Sequence, residues 1–335
     1  SGWLAQLMRK FSSSRIAGAG GRLLETYTGT VFDQWRSVHM SQHWGEEVNS
    51  PAFLFGSNTV FRRKALLEVG LYNEKFKSNY EDVDMSRRLK TKGWTLVYEP
   101  KATAHHLKND DISSILNTYW RWNIAYYQKK RFYSNAKSFI SKIKDNLGLA
   151  NRYLEEDMAC AKHQLLYLDF LLALHHSLRD FEYFISRNNR RHPNHTPLSF
   201  WLSLVDLTLF YHLGFKEKRL STLITKKDVF LQNFFALNLI LGKCIGGKFK
   251  NVDFRRRLYR DLLVAVYKID DADLLDKLLN LVELHPDWEG FFKKKHPNLS
   301  SVFLKNLFFN LQGWLNDLAA RFPNVIRMIE ISAIK

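Results

Sequence analysis

The order of apolar and polar positions divides the chain in two. Through residue 110, short apolar runs alternate with turn-forming residues. Ala52-Phe53-Leu54-Phe55 and Thr95-Leu96-Val97-Tyr98 read as β-strands, separated by helical stretches and punctuated by Gly and Pro. Beyond Asp110, strand-like alternation nearly vanishes and Leu, Phe, Tyr and Lys recur at helical spacing. Leu165, Leu168, Leu172 and His175-His176 fall on adjoining helical faces, as do Leu258, Leu262, Val266 and Ile269. Breaks fall at 188–197, 242–247, His285-Pro286 and His296-Pro297. The pattern predicts a mixed α/β region over 1–110 and a mostly α-helical domain over 111–335, of roughly seven to ten helices at a mean length of ~11–12 residues. Residues 270–288 have the look of a helical-hairpin repeat, but it occurs once, so a bundle is expected rather than a solenoid.

Composition narrows the class. With 335 residues, 46% hydrophobic and 25% charged, the chain is globular and not disordered. Its two cysteines, Cys160 and Cys244, build no disulfide framework and point to a reducing, cytoplasmic compartment. Cys160 and His163 share a helical spacing but lack further ligands, so they predict no metal site. The uncharged run 229–242 has 14 residues, against the ~20 that a spanning helix needs. The stretches 198–215 and 229–241 are amphipathic core helices in this reading, with peripheral membrane contact as the alternative. The opening Ser1-Gly2-Trp3-Leu4 has neither an initiator Met nor a signal peptide, which suggests a fragment.

The net charge of +17 favours polyanions in general: nucleic acid, anionic lipid or diphosphate-bearing substrates. Basic clusters stand at Lys129-Lys130-Arg131, Arg187 to Arg191, Arg255-Arg256-Arg257 and Lys293-Lys294-Lys295, where solvated helix faces explain them. No zinc-finger, phosphate-loop or RNA-recognition pattern accompanies them, so no specific nucleic-acid partner is expected.

Three local patterns carry candidate chemistry. In Phe55-Gly56-Ser57-Asn58, a glycine after an apolar run lets a ligand approach the backbone, and Ser57 and Asn58 add polar contacts. In Asn79-Tyr80-Glu81-Asp82-Val83-Asp84, Asn79 is the expected N-cap and the carboxylates complement the helix dipole. A carboxylate there could also take a proton from an attacking hydroxyl. Arg87 and Arg88, one turn on, could hold carboxylates or phosphates. Tyr98-Glu99-Pro100-Lys101-Ala102-Thr103-Ala104 leads through proline into His105-His106, and imidazole suits Mn²⁺ or a similar ion. The aromatic run Tyr119-Trp120-Arg121-Trp122, with Tyr126-Tyr127, either packs the first helix of the second domain or walls an acceptor site.

Taken in order, these patterns resemble the inverting nucleotide-sugar glycosyltransferases of the GT-A fold, above all the large bacterial family two. The resemblance rests on Gly56-Ser57-Asn58, Val69-Gly70-Leu71-Tyr72-Asn73-Glu74-Lys75-Phe76, Glu81-Asp82-Val83-Asp84, Arg88-Leu89 with Gly93, and Tyr98 through His106. Upstream, Gly20-Gly21-Arg22-Leu23, Trp35-Arg36 and His39-Met40 also fit, so it covers roughly residues 3–120. It implies a partial GT-A, Rossmann-like α/β region followed by a mostly α-helical accessory domain. It implies Asp82 as general base, Glu81 shaping the acceptor site and Asp84 supporting the local hydrogen bonds. Gly56, Ser57, Asn58, Arg87, Trp35 and Arg36 would bind substrate. His106 would bind a divalent cation, Mn²⁺ or Mg²⁺. The partners implied are a nucleotide-sugar donor and a saccharide, lipid-linked or protein hydroxyl acceptor.

One departure stands out. The family's first half, with its nucleotide-binding strands and Asp-x-Asp, has no counterpart before Glu81, so residues 1–110 are not expected to form a complete nucleotide-binding sheet. The alternative to an active transferase is a non-enzymatic module, a catalytic half-domain kept as scaffold with a basic helical region that binds a partner, membrane surface or polyanion.

Overall fold

The computed structural model of the protein describes residues 2–76, 79–128, 136–189, 248–284 and 302–334. They form two compact units: residues 1–111 with 121–129, and residues 112–120 with 130–335. The basic clusters around Lys130, Arg190 and Lys294, the amphipathic stretches 198–215 and 229–241, and both His-Pro breaks lie outside the described residues.

The first unit runs α1 (Trp3–Met8), β1 (Ile16–Glu25), α2 (Val31–His39), β2 (Thr59–Phe61), α3 (Arg63–Glu68), α4 (Glu81–Thr91) and β3 (Thr95–His106). The strands make a mixed sheet in the order β2-β1-β3, with β1 antiparallel to β2 and parallel to β3. Ala17, Leu54, Ala65, Met85, Leu89 and Leu96 form one apolar cluster, which seats α3 and α4. Leu7, Ala19 and Ala102 form another, which seats α1.

Two expectations for this unit need correction. Residues 52–55 are not a strand; Leu54 is buried, and its N–H donates to Ser86 Oγ on α4 at 3.1 Å instead of to a neighbouring strand. The central strand is β1, whose glycines hid it from a propensity reading. There the backbone must approach its neighbours closely: a Cβ on Gly21 would lie 1.8 Å from the Ala102 carbonyl oxygen. That carbonyl belongs to a bulge in β3, where the pairing jumps from Gly21↔Glu99 to Arg22↔Thr103. Pro100 sits in this bulge, a place where a strand tolerates a residue without an N–H.

The second unit is helical among the described residues: the first half of α5 (Ile112–Gln128), then α6 (Ala136–Ala159), α7 (Leu166–Asn189), α8 (Val252–Tyr267), α9 (Ala272–Leu284), α10 (Val302–Arg321) and α11 (Val325–Ile334). α6 and α7 pack along one another, with α8, α10 and α11 against them. Phe170 stacks on Trp314 at 5.6 Å, and Phe249 on Phe254 at 4.5 Å. A polar network is buried in the same core. Asp180 accepts from Trp120 Nε1 (2.9 Å) and Asn146 Nδ2 (2.7 Å), with Lys142 Nζ at 3.4 Å. His176 stacks on Tyr119, and His175 Nε2 lies 3.3 Å from Asn117 Oδ1. Burial, then the neighbouring cations, push both histidines well below the ordinary imidazole range.

Cys160 and His163 do not share a helix. α6 ends at Ala159, and the chain turns through a left-handed Ala161 before a short 3₁₀ turn at His163–Leu165. No helix among the described residues is long and apolar enough to cross a membrane.

Candidate active site

The site is assembled around the first turn of α4. Just before it, α3 ends in a paired C-terminal turn: Leu71 N–H donates to the Leu66 carbonyl (2.9 Å) and Gly70 N–H to that of Leu67 (3.1 Å). This geometry needs a left-handed residue after the helix, and Gly70 takes it at φ 79°. Arg88 then ties that turn to α4. Its guanidinium donates to the carbonyls of Val69 and Leu71 (2.7 Å to the latter), while its Nε pairs with Asp84 at 2.8 Å. Asp84 is buried, and its oxygens serve this clamp. The clamp holds the turn after α3 beside α4.

The clamp brings Tyr72 near the helix start. Burial and the adjacent Asp82 and Glu81 carboxylates raise its phenol pKa above the ordinary value. Asp82 itself is partly buried. Its Oδ2 accepts from Gly56 N–H at 3.1 Å and its Oδ1 from Val83 N–H at 2.7 Å. Burial raises the Asp82 pKa, and these N–H groups oppose the rise. Two loops far apart in sequence, 55–58 and 79–82, thereby meet at one carboxylate. Glu81 follows the same turn, and its Oε2 is buried without a hydrogen-bond partner.

The N-cap is not Asn79. Tyr80 occupies that position in a left-handed conformation, φ 78°, with no side-chain cap bond. A bulky residue there is uncommon and costs on the order of 1–3 kcal/mol. Packing offsets the strain: the ring is buried between Phe76 (5.7 Å between centroids) and Trp122 (6.2 Å), and its hydroxyl accepts from Arg87 Nη2 at 3.0 Å.

The other expected substrate contacts divide. Ser57 is exposed, with its hydroxyl 3.1 Å from Gln42 Oε1. Gly56 serves Asp82 through its N–H, as described. Asn58 is fully committed to the fold: Nδ2 donates to the carbonyls of Arg22 (2.9 Å) and Ala102 (3.0 Å), and Oδ1 accepts from Trp3 Nε1 (2.7 Å). It ties β1 to the β3 bulge and is buried, with both amide N–H groups already donated. Trp35 and Arg36 are likewise core residues, 1% and 3% exposed. Arg36 pairs with buried Asp110, whose N–H donates to Asp33 Oδ1 at 2.9 Å. A substrate would have to break this pair to reach Arg36.

His106 ends β3 opposite Glu25, with Nδ1 2.9 Å from both carboxylate oxygens. That contact engages one nitrogen and leaves Nε2 as the metal-facing candidate, the usual arrangement behind a ligating histidine. Among the described residues no hydrogen bond or ion pair joins His106 to Asp82. It lies four residues along the strand from Ala102, the carbonyl that Asn58 grips. His105 is exposed, with Nδ1 3.4 Å from Thr26 Oγ1.

Beside the Asp82 face of α4 opens a cavity of about 540 Å³, lined by Phe53, Tyr80, Val83, Arg87, Lys90 and Trp122 with Ala52 and Thr91. Sequence reasoning singled out Arg87 and allowed an aromatic wall around Trp122. It missed Phe53, Tyr80 and Lys90, although the spacing 83, 87, 90 and 91 was a readable helical stripe.

No curated protein and no solved structure matches the chain. Residues 7–216 match the family described as glycosyl transferase family group 2. The match takes in the whole Asp82 site and extends well past residue 120, beyond the motifs that carry the resemblance in the sequence. Covering well over half of the chain and every loop that meets at Asp82, it shows that this protein belongs to glycosyl transferase family group 2.

Proposed function

We propose that the protein transfers a sugar from a nucleotide-sugar donor to an acceptor hydroxyl with inversion, and that Asp82 is the general base. The observation that carries this reading is the state of the Asp82 carboxylate. It is held by two backbone N–H groups at a helix start and raised in pKa by burial, yet no cation among the described residues pairs with it. A base poised this way is oriented while keeping basicity that an ion pair would remove.

The chemistry follows in one displacement. The acceptor oxygen attacks the anomeric carbon from the face opposite the diphosphate. Asp82 takes the hydroxyl proton as the new C–O bond forms, and the bond to the diphosphate oxygen breaks, releasing a nucleoside diphosphate. A single displacement inverts the anomeric configuration. Glu81, with one buried oxygen unpartnered, would accept from a second acceptor hydroxyl and orient it. Tyr72, next to the turn that Arg88 holds, lies near enough to both carboxylates for their charge to raise its phenol pKa. His106, backed by Glu25, would give one imidazole nitrogen to a divalent cation. Such a cation, when bound, offsets charge developing on the departing diphosphate.

The test is Asp82→Asn in the whole chain, assayed for transfer from a panel of nucleotide-diphosphate sugars. A positioned base contributes about 10²- to 10⁴-fold, so kcat should fall by at least about 100-fold with KM little changed. Turnover within about tenfold of the parent, some 1.4 kcal/mol in the barrier, would remove Asp82 from the role and turn attention to Glu81.

A further inference from the structure

The cavity beside Asp82 has a composition that the transfer step does not explain. Three rings, Phe53, Tyr80 and Trp122, wall it together with two cations, Arg87 and Lys90, and no carboxylate among the described residues lines it. All of these residues belong to the α/β unit. At about 540 Å³ it falls within the ordinary range for small-molecule sites, ~300–1,000 Å³. Asp82 is absent from the lining although Val83, the next residue, is present. The cavity therefore lies on the neighbouring face of α4, one helical step from the base.

Its polar groups are fixed in place and only partly used. Arg87 Nη2 donates to the Tyr80 hydroxyl at 3.0 Å, and its guanidinium carbon stands 5.9 Å from that ring. One bond of several is spent there, and the remaining fork suits a planar or tetrahedral oxyanion. Lys90 Nζ donates to the Pro51 carbonyl at 2.7 Å and keeps its other protons. Tyr80 is at once the strained cap of α4 and a wall of the cavity, which couples its occupancy to the turn that carries Glu81 and Asp82.

We propose that this cavity is an acceptor subsite for an anionic saccharide. A sugar ring packs against Trp122, Tyr80 and Phe53, and a phosphate or carboxylate borne by the sugar is held by Arg87 and Lys90. The inference rests on the glycosyl-transfer reading and adds the acceptor's class: a sugar with a negative charge close to its ring. The ring half supplies apolar contact and the cations supply charge selection, so neither a neutral sugar nor a bare anion satisfies the whole site.

Binding can be tested without turnover, by calorimetry on the whole chain with a hexose phosphate, the matching hexuronate, the uncharged hexose and inorganic phosphate. The hexose phosphate or the hexuronate should bind at least about tenfold more tightly than the uncharged hexose and than inorganic phosphate. Arg87→Gln with Lys90→Gln should abolish that preference, Arg87→Lys should restore part of it, and Trp122→Ala should weaken the charged sugar but not inorganic phosphate. A sugar joined through phosphate to a short isoprenoid chain separates the sources: tighter binding than the free sugar phosphate identifies a lipid-borne acceptor, and equal binding a soluble one. Equal affinity for charged and uncharged sugars, or a preference that survives the double substitution in a folded protein, would overturn the proposal. Asp82→Asn should keep this binding intact. Loss of the subsite and loss of the general-base role thus appear in different measurements.

Discussion

At the scale of single residues, hydrogen bonding sets Asn58, tied into the frame, apart from Asp82, the base we propose. Asn58 and Asp82 look equally polar and equally site-like in sequence, but Asn58 spends both of its amide atoms on Trp3, Arg22 and Ala102. Asn58→Ala would remove the donor to the Arg22 and Ala102 carbonyls and the acceptor of the Trp3 indole N–H, at about 1–3 kcal/mol for each group left unpaired. We expect a loss of roughly 3–5 kcal/mol in urea unfolding, with activity falling only as the folded fraction falls. Asp82 behaves oppositely. Asparagine there relieves the cost of a buried charge but gives up one backbone hydrogen bond, so its melting temperature should stay within about 3 °C of the parent. The pH dependence follows from the raised pKa. Asp82 must be ionised to take a proton, so transfer should rise with pH through a value above that of an ordinary aspartate. An acid limb at or below the ordinary aspartate range would contradict this. For stability the sign is reversed: a folded pKa above the unfolded one favours folding while the group is protonated, and that contribution fades as pH rises through the folded pKa.

At the scale of elements, α4 is a rod with three jobs. Met85 and Leu89 bury it in the sheet's core, the 83-87-90-91 stripe lines the cavity, and its first turn presents the carboxylates. Arg88 joins the helix to the turn after α3, where a glycine in the left-handed region makes the reversal possible. Arg88→Ala should therefore act through position. It removes the guanidinium from buried Asp84 and both bonds to the 69–71 carbonyls, which frees the turn next to Asp82. We expect a drop of about 2–4 kcal/mol in stability, in line with losing one partner of a mostly buried pair. In the folded fraction, KM should rise more than kcat falls. Arg88→Lys should recover little of either, because an ammonium cannot bridge Asp84 and two carbonyls as the guanidinium fork does. The expected strand at 52–55 failed at this same scale: its apolar run was real, but the backbone donor of Leu54 found a serine on α4 instead of a strand.

At the scale of the whole molecule, the helical unit carries its own titration. His175 and His176 are buried and held neutral, with Asn117, Tyr119 and Lys142 around them. Their folded pKa values lie well below the unfolded one, so they cost nothing above about pH 6.5. As pH falls below that point the unfolded chain takes up protons that the folded one refuses. Stability should drop by up to about 1.4 kcal/mol per pH unit for each histidine. Melting temperature measured from pH 8 to pH 5 should fall steeply below about 6.5, and the double variant His175→Gln with His176→Gln should flatten the curve. An unchanged slope in that variant would place the acid sensitivity elsewhere.

What the sequence determined by itself was chiefly what repeats or runs in order. The change of texture near residue 110 is legible because helical periodicity is carried by many residues at once. The ordered motifs around Gly56, Asp82 and His106 were enough to suggest the family that the match to residues 7–216 then showed. Tertiary structure alone decided how each polar side chain is used. Arg36, Asn58 and Asp84 were legible as polar residues near a site, but only the fold shows them bonded into the frame while Asp82 stays available. It also revealed β1, since glycine reads as loop until a carbonyl comes so close that no Cβ could stand between. The cavity was legible only as its stripe on α4, because Phe53 and Trp122 reach it from positions distant in sequence, and local pattern records only what a residue does with its near neighbours.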